Sequence, residues 1–166
     1  MYIDWKFNKE AENISLEEFE KENESFFGFM TLKLGDYQLG YLDKLSPFDE
    51  GDEDISYYIN SLIKCGITLL LGQDFKIQLL GSNLLEIRVH RYIDVNIKVV
   101  YDETQDVECS FDLSFKDLLA EIEENYRKYI EAIREMNSEL LKSRTVSMTV
   151  KHYEIFKKLL EEYNEI

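Results

Sequence analysis

Residues 114–143 read SFKDLLAEIEENYRKYIEAIREMNSELLKS, and the rest of the chain is organised around them. Leu119, Ile122, Tyr126, Tyr129, Ile133, Met136 and Leu140 recur at alternating spacings of three and four, while Leu118, Ile130 and Leu141 widen the stripe. This is the pattern of a long amphipathic helix. Ser114 stands where an N-cap belongs, Asp117 lies in the first turn, and Lys142 and Arg144 close the segment, so both ends suit the helix dipole. A stripe this wide needs a large apolar surface opposite it.

The strands upstream supply that surface. Leu85, Ile87, Val89, Arg91, Ile93, Val95, Ile97, Val99 and Tyr101 alternate without a break. One straight strand of this length would measure roughly 55 Å at the usual rise per residue, too long for so small a chain. A three-residue connection at Tyr92 to Asp94 keeps the alternation and is expected to divide it; a single bent strand is the alternative. On the N-terminal side, a Gly81-Ser82-Asn83 loop with a left-handed Asn83 sets Leu79 against Leu85, Ile77 against Ile87 and Phe75 against Val89. On the C-terminal side, the loop from Asp102 to Asp106 sets Tyr101 against Val107, Val99 against Cys109, Ile97 against Phe111 and Val95 against Leu113. The expected product is a meander with one oily face. Its other face carries Lys76, Gln78, Glu86, Arg88, His90, Asn96, Lys98, Ser110 and Asp112, and is expected to be solvated or to serve for docking.

Earlier segments add a second strand pair and more helix. Tyr2 to Phe7 alternates and reads as an opening strand. Ser15-Leu16-Glu17-Glu18 is a capping-box pattern for a short acidic helix ending near Asn23. Phe27 to Leu34 and Tyr37 to Asp43 flank Gly35-Asp36, a turn that pairs Leu34 with Tyr37, Leu32 with Leu39 and Met30 with Tyr41. A helix then runs from about Asp54 to Leu71. Ile55, Ile59, Leu62, Ile63 and Leu70 form its buried face, Tyr58 its edge, and Tyr57, Asn60, Ser61, Lys64 and Thr68 the opposite side. Val150, Tyr153, Phe156, Leu159, Leu160 and Tyr163 mark a shorter final helix capped by Thr149 or Ser147. The fold class is therefore α+β: an antiparallel sheet of hairpin plus meander, one face covered by the long C-terminal helix, in a single domain over residues 1–166.

Composition narrows the function. The 166 residues include one proline, Pro47, and seven scattered glycines, so nothing resembles a linker. Cys65 and Cys109 fall on apolar faces with no second pair nearby, and read as reduced core residues. The N-terminus lacks a basic start followed by an apolar core, and the near-apolar run from Cys65 to Leu71 is far too short to span a bilayer. A cytoplasmic location with no membrane association is expected. The formal net charge of −15 argues against nucleic acid, which needs a basic patch, and raises the encounter rate with basic partners.

No motif for catalysis or cofactor binding occurs. The two histidines, His90 and His152, have no cysteine or histidine at ligand spacing, and the chain lacks a nucleophile elbow, P-loop, Rossmann fingerprint or zincin motif. The acidic run from Asp49 to Asp54 fails as a calcium loop. Counted from Asp49, Asp54 and Asn60 hold the places of the required glycine and glutamate; counted from Asp52, Tyr57 and Ile63 do. Acids gathered at a helix N-terminus are instead favoured by its dipole. The expectation is a protein that is not an enzyme, with no catalytic residue, cofactor or metal.

What remains is a candidate binding surface. Asp49, Glu50, Asp52, Glu53 and Asp54 lead into the adjacent rings of Tyr57 and Tyr58, and large amphipathic rings among carboxylates suit a basic protein partner. Here Asp54 and Tyr57 are expected to matter for binding and not for stability. The run Asp54-Ile55-Ser56-Tyr57-Tyr58 is similar to the Asp-x-x-Tyr-Tyr signature of the small immunity proteins that neutralise colicin-type nucleases. The likeness covers only those positions and reads as coincidence or convergence, not homology, since those proteins are all-helical, half this size, and carry a proline where this chain has Ile59. Over its whole length the architecture resembles the immunity proteins of bacterial polymorphic and contact-dependent toxin systems. That resemblance implies a stoichiometric inhibitor that covers the active site of a cognate toxin, with Asp54, Tyr57 and Tyr58 at the contact. The alternative is a generic interaction domain, or a homo-oligomer joined through sheet edges or the exposed side of the long helix.

Overall fold

The computed structural model describes residues 1–22, 24–40, 42, 53–78, 83–90 and 92–165. In chain order the elements are β1 (Tyr2–Phe7), α1 (Leu16–Glu22), β2 (Phe27–Leu34), β3 (Tyr37–Leu39), β4 (Glu53–Asp54), α2 (Ile55–Leu70), β5 (Phe75–Gln78), β6 (Asn83–His90), β7 (Asp94–Tyr101), β8 (Val107–Ser114), α3 (Phe115–Asn137), a 3-10 turn (Ser138–Lys142) and α4 (Arg144–Asn164). The fold is α+β, with two antiparallel sheets. One has the order β1-β2-β3, with β4 also paired to β2; the other is the meander β5-β6-β7-β8.

Ser114 caps α3 as its position implies, its Oγ accepting the Asp117 amide at 3.1 Å. Leu118, Leu119, Ile122, Tyr129 and Ile133 are all buried. The helix stops earlier than its apolar spacing suggests. Asn137 turns to φ −162°, ψ 94°, and its Nδ2 donates to the carbonyls of Ala11 and Ile14, tying the turn before α1 to the end of α3. The 3-10 turn then keeps Leu140 fully buried, so the stripe continues while the helix does not. Arg144 therefore opens α4 instead of closing α3. The cap of α4 is Ser143, whose Oγ accepts from the Val146 amide, and not Ser147 or Thr149; the last helix is one and a half turns longer at its start than its apolar stripe suggests.

The strand registers follow the alternation with local shifts. Leu34 faces Tyr37 and Leu32 faces Leu39 as expected, whereas Tyr41 lies outside the described residues. Ile97 faces Phe111 and Val99 faces Cys109, but a bulge between Val99 and Val100 puts Val100, not Tyr101, opposite Val107. Between β5 and β6 the register is offset by two residues: Phe75 faces Ile87 and Ile77 faces Leu85. A two-residue offset leaves every side chain on its face, so apolar alternation cannot tell the registers apart. The connection at 79–82 lies outside the described residues. A turn at Tyr92 and Ile93 splits the long alternation into β6 and β7, and Asp94, expected in the connection, already pairs with His90. The left-handed residue of that turn is Tyr92, at φ 58°.

The helices fill the space between the sheets. At the free edge of β1, the Ile3 amide donates to Glu121 Oε1 at 3.0 Å and Trp5 Nε1 to Asn125 Oδ1 at 3.0 Å. Lys128 donates to the Trp5 carbonyl and the Asp4 carboxylate, with its ammonium 4.5 Å from the Trp5 ring centre. α3 thus closes an edge that would otherwise invite further pairing. Trp5, Phe7, Phe19, Phe26 and Tyr129 form an aromatic cluster at this end. The buried residues run on continuously to the inner face of the meander, through Ile87, Ile97 and Val99. At the centre Gly66 lets α2 approach its neighbours: a Cβ there would lie 2.5 Å from the Phe156 ring of α4 and 3.1 Å from Ile122 of α3.

Candidate functional site

Of the seven residues read as partner-binding, Asp49, Glu50 and Asp52 lie outside the described residues. The other four form the junction of β4 with α2. Phe27 pairs with Asp54 and Gly28 with Glu53, so β2 fixes the chain just before the helix starts. Asp54 is the N-cap: its Oδ1 accepts the Tyr57 amide at 2.9 Å and also the Ser25 hydroxyl. Two residues on, Ser56 is buried, its Oγ accepting the Phe26 amide at 2.9 Å and lying 3.0 Å from the Tyr129 hydroxyl. The first turn of α2 is thereby pinned to β2 and α3.

The two tyrosines have different surroundings. Tyr58 is only 6% exposed, further inside than the helix-edge position expected of it, and its hydroxyl donates to Glu53 Oε2 at 3.1 Å. Burial, then the charge of Glu53 and this hydrogen bond, push its phenol far above the usual range. Tyr57 is 47% exposed and meets Tyr58 edge-on, with ring centres 5.4 Å apart. The arrangement is a fixed aromatic ledge with a carboxylate on one side. It offers a partner ring area, a hydroxyl and negative charge.

Burial raises the thiols of Cys65 and Cys109, which favours the protonated form. The buried Tyr129 hydroxyl is raised by the same cause. Surface clefts include one of about 250 Å³ beside Ser25, lined by Asn8, Glu10, Glu22 and Phe27 among others, and wider, more open ones of about 590 Å³ beside Asn137 and about 510 Å³ beside Glu121. Among the described residues no cluster of three His, Cys, Asp or Glu side chains could hold a metal ion. No described helix is long and apolar enough to cross a membrane. Comparison with family models, curated proteins and solved structures finds no match to this chain.

Sequence reasoning missed the surface beside this ledge. Asn60 and Ser61, placed on the outer side of α2 by their polarity, are buried. The reason is α4, which packs alongside: His152 Nδ1 and Asn60 Oδ1 are 2.7 Å apart, an N–H donating to the amide oxygen. Burial first, and then the nearby charge of Lys64, depress the imidazole below its usual range. The signal was present in the composition of α2, where ISYYINSLIKCGITLL carries one charged residue. A helix so nearly uncharged is covered on more than one side.

Proposed function

We propose that this chain is a non-enzymatic acidic binding protein, and within that class an immunity protein that neutralises a cognate basic toxin by direct contact. The observation that carries the reading is the half-exposed Tyr57 ring, held edge-on against Tyr58 beside Glu53 and Asp54 at the head of α2. Rigid aromatic side chains lose little entropy on binding and dominate the energetics of many interfaces. A net charge of −15 accelerates encounter with a basic partner, and carboxylates at the contact set its orientation. The architectural resemblance to toxin-immunity proteins supports the same assignment.

Affinity purification of the full chain from its native host, followed by mass spectrometry, tests it. A basic protein should be recovered in equimolar amount, and the complex should suppress that protein's toxicity. Tyr57→Ala should weaken the complex by more than about 2 kcal/mol with the fold intact. A partner that binds Tyr57→Ala and Glu53→Gln as tightly as wild type would remove this ledge from the interface.

A further inference from the structure

The molecule carries 34 acids against 19 lysines and arginines, yet one of its faces runs the other way. α2 has no acid over its whole length, and it exposes Tyr57 and Lys64, with Thr68 half-buried and the exposed Leu71 at its C-cap. Alongside it, α4 exposes Met148, Lys151, Ile155 and Lys158 at spacings of three and four, which puts them in one sector of the helix. The two strips lie beside the seam where α2 packs on α4, which the Asn60–His152 pair bridges. Among the described residues, four of the eight large apolar side chains left exposed, Tyr57, Leu71, Met148 and Ile155, lie on these two helices or, for Leu71, at the C-cap of α2.

The charges divide in the same way. Lys64, Lys151 and Lys158 form no ion pair among the described residues, whereas Lys76 pairs with Glu86 and Lys128 with Asp4. Acids border the strip: exposed Glu154 lies three residues after Lys151, and exposed Glu162 four after Lys158. Glu154 acts on Tyr126 of α3, Glu161 lies 4.0 Å from Lys157, and Glu162 stands at the far end of the sector.

We propose that the exposed strip along the α2–α4 seam docks an acidic amphipathic segment of a partner protein. Apolar side chains of the segment pack on Met148, Ile155 and Leu71, and its carboxylates meet Lys64, Lys151 and Lys158. The apolar content sets this face apart from a phosphate-binding surface, which reads charge along a backbone and needs no greasy stripe. The acidity of the rest of the molecule slows the encounter with such a segment, and physiological salt damps that repulsion beyond about 8 Å without removing it. This inference goes beyond the function proposed above: a basic partner would seek the acidic head of α2, and reversing the lysines would strengthen its binding.

The probe is a fluorescein-labelled synthetic helix with leucines on one face and glutamates along both flanks, titrated with the full chain. Saturable binding is expected, weakened about tenfold or more by the combined Lys64→Glu, Lys151→Glu and Lys158→Glu changes. Ile155→Ser, which leaves every charge in place, should weaken it as well, and thermal melts check that the variants fold. Failure to bind the glutamate helix overturns the proposal, as does equal binding of the same helix with lysines in place of glutamates. Tighter binding of phosphatidylglycerol vesicles would make the face a lipid surface, and a concentration-dependent mass abolished by Ile155→Glu would make it a contact between copies; either overturns it too.

Discussion

At the scale of single residues, Asp54 shows why a surface acid need not be free for binding alone. Its carboxylate satisfies the Tyr57 amide and the Ser25 hydroxyl, so it holds the first turn of α2 whatever else it does. Asp54→Ala should therefore lower stability by about 0.5–2 kcal/mol in chemical denaturation, the usual cost of losing a helix cap. The sequence reading expected stability to be indifferent to this position; its cap role was visible in Asp54 preceding Ile55, but its charge drew the attention. Tyr57→Ala, by contrast, removes a half-exposed ring and should move stability by less than about 0.5 kcal/mol. An Asp54→Ala melt that superimposes on wild type would mean the cap contributes nothing. Gly66 is the opposite case, silent in the sequence and decisive in the packing. Adding a methyl there drives it into the buried Phe156 ring, and Gly66→Ala should cost about 1–3 kcal/mol despite the better helix propensity of alanine. Gly66→Ala with Phe156→Leu should recover part of that loss; no recovery would point to strain elsewhere.

Helices and strands were legible where local chemistry decided them. Ser114 with Asp117, Ser15 with Glu18, and the Gly35-Asp36 turn each announce themselves within four residues, and each is formed as read. The break between α3 and α4 was hidden because it rests on a contact about 125 residues away in sequence, from Asn137 to the carbonyls of Ala11 and Ile14. Apolar spacing passed straight through it, since Leu140 stays in the core on the 3-10 turn. The β5–β6 offset was equally invisible, because Ile77 meets a leucine or an isoleucine on the same face in either register. The tertiary origin of the helix break has a consequence at Ser143, which is fully buried and caps α4. Ser143→Ala should destabilise by about 1 kcal/mol or more, while Ser147→Ala, at the cap position favoured by the apolar stripe, should be nearly neutral. Equal losses at the two serines would return the start of α4 to that later position.

For the whole molecule, pH separates two sources of stability. His152 is held as neutral imidazole, depressed by burial and by Lys64 from a usual value of 6.5. The unfolded chain takes up that proton more readily, so the contribution is complete above the unfolded value and is lost as pH falls through the lower folded one. Asp4 works in a more acidic window. Burial raises its carboxyl, but hydrogen bonds from Lys128, Tyr2 and the Trp5 amide, with the Lys128 charge, outweigh that and leave it below 3.8. Its contribution is complete above that unfolded value and lost below it. Against both runs the relief of self-repulsion as a chain of charge −15 takes up protons, which favours the compact state on acidification. The shape of the wild-type curve therefore assigns nothing by itself, and differences between variants must be used. In denaturant titrations from about pH 7.5 to pH 3, His152→Gln should lose less stability than wild type as pH falls below the usual imidazole value of about 6.5. Lys128→Met, which removes the partner of Asp4, should start less stable and flatten only the limb below about pH 4. If the two variants change the same limb, the separation between the imidazole beside α2 and the carboxylate at the edge of β1 is wrong.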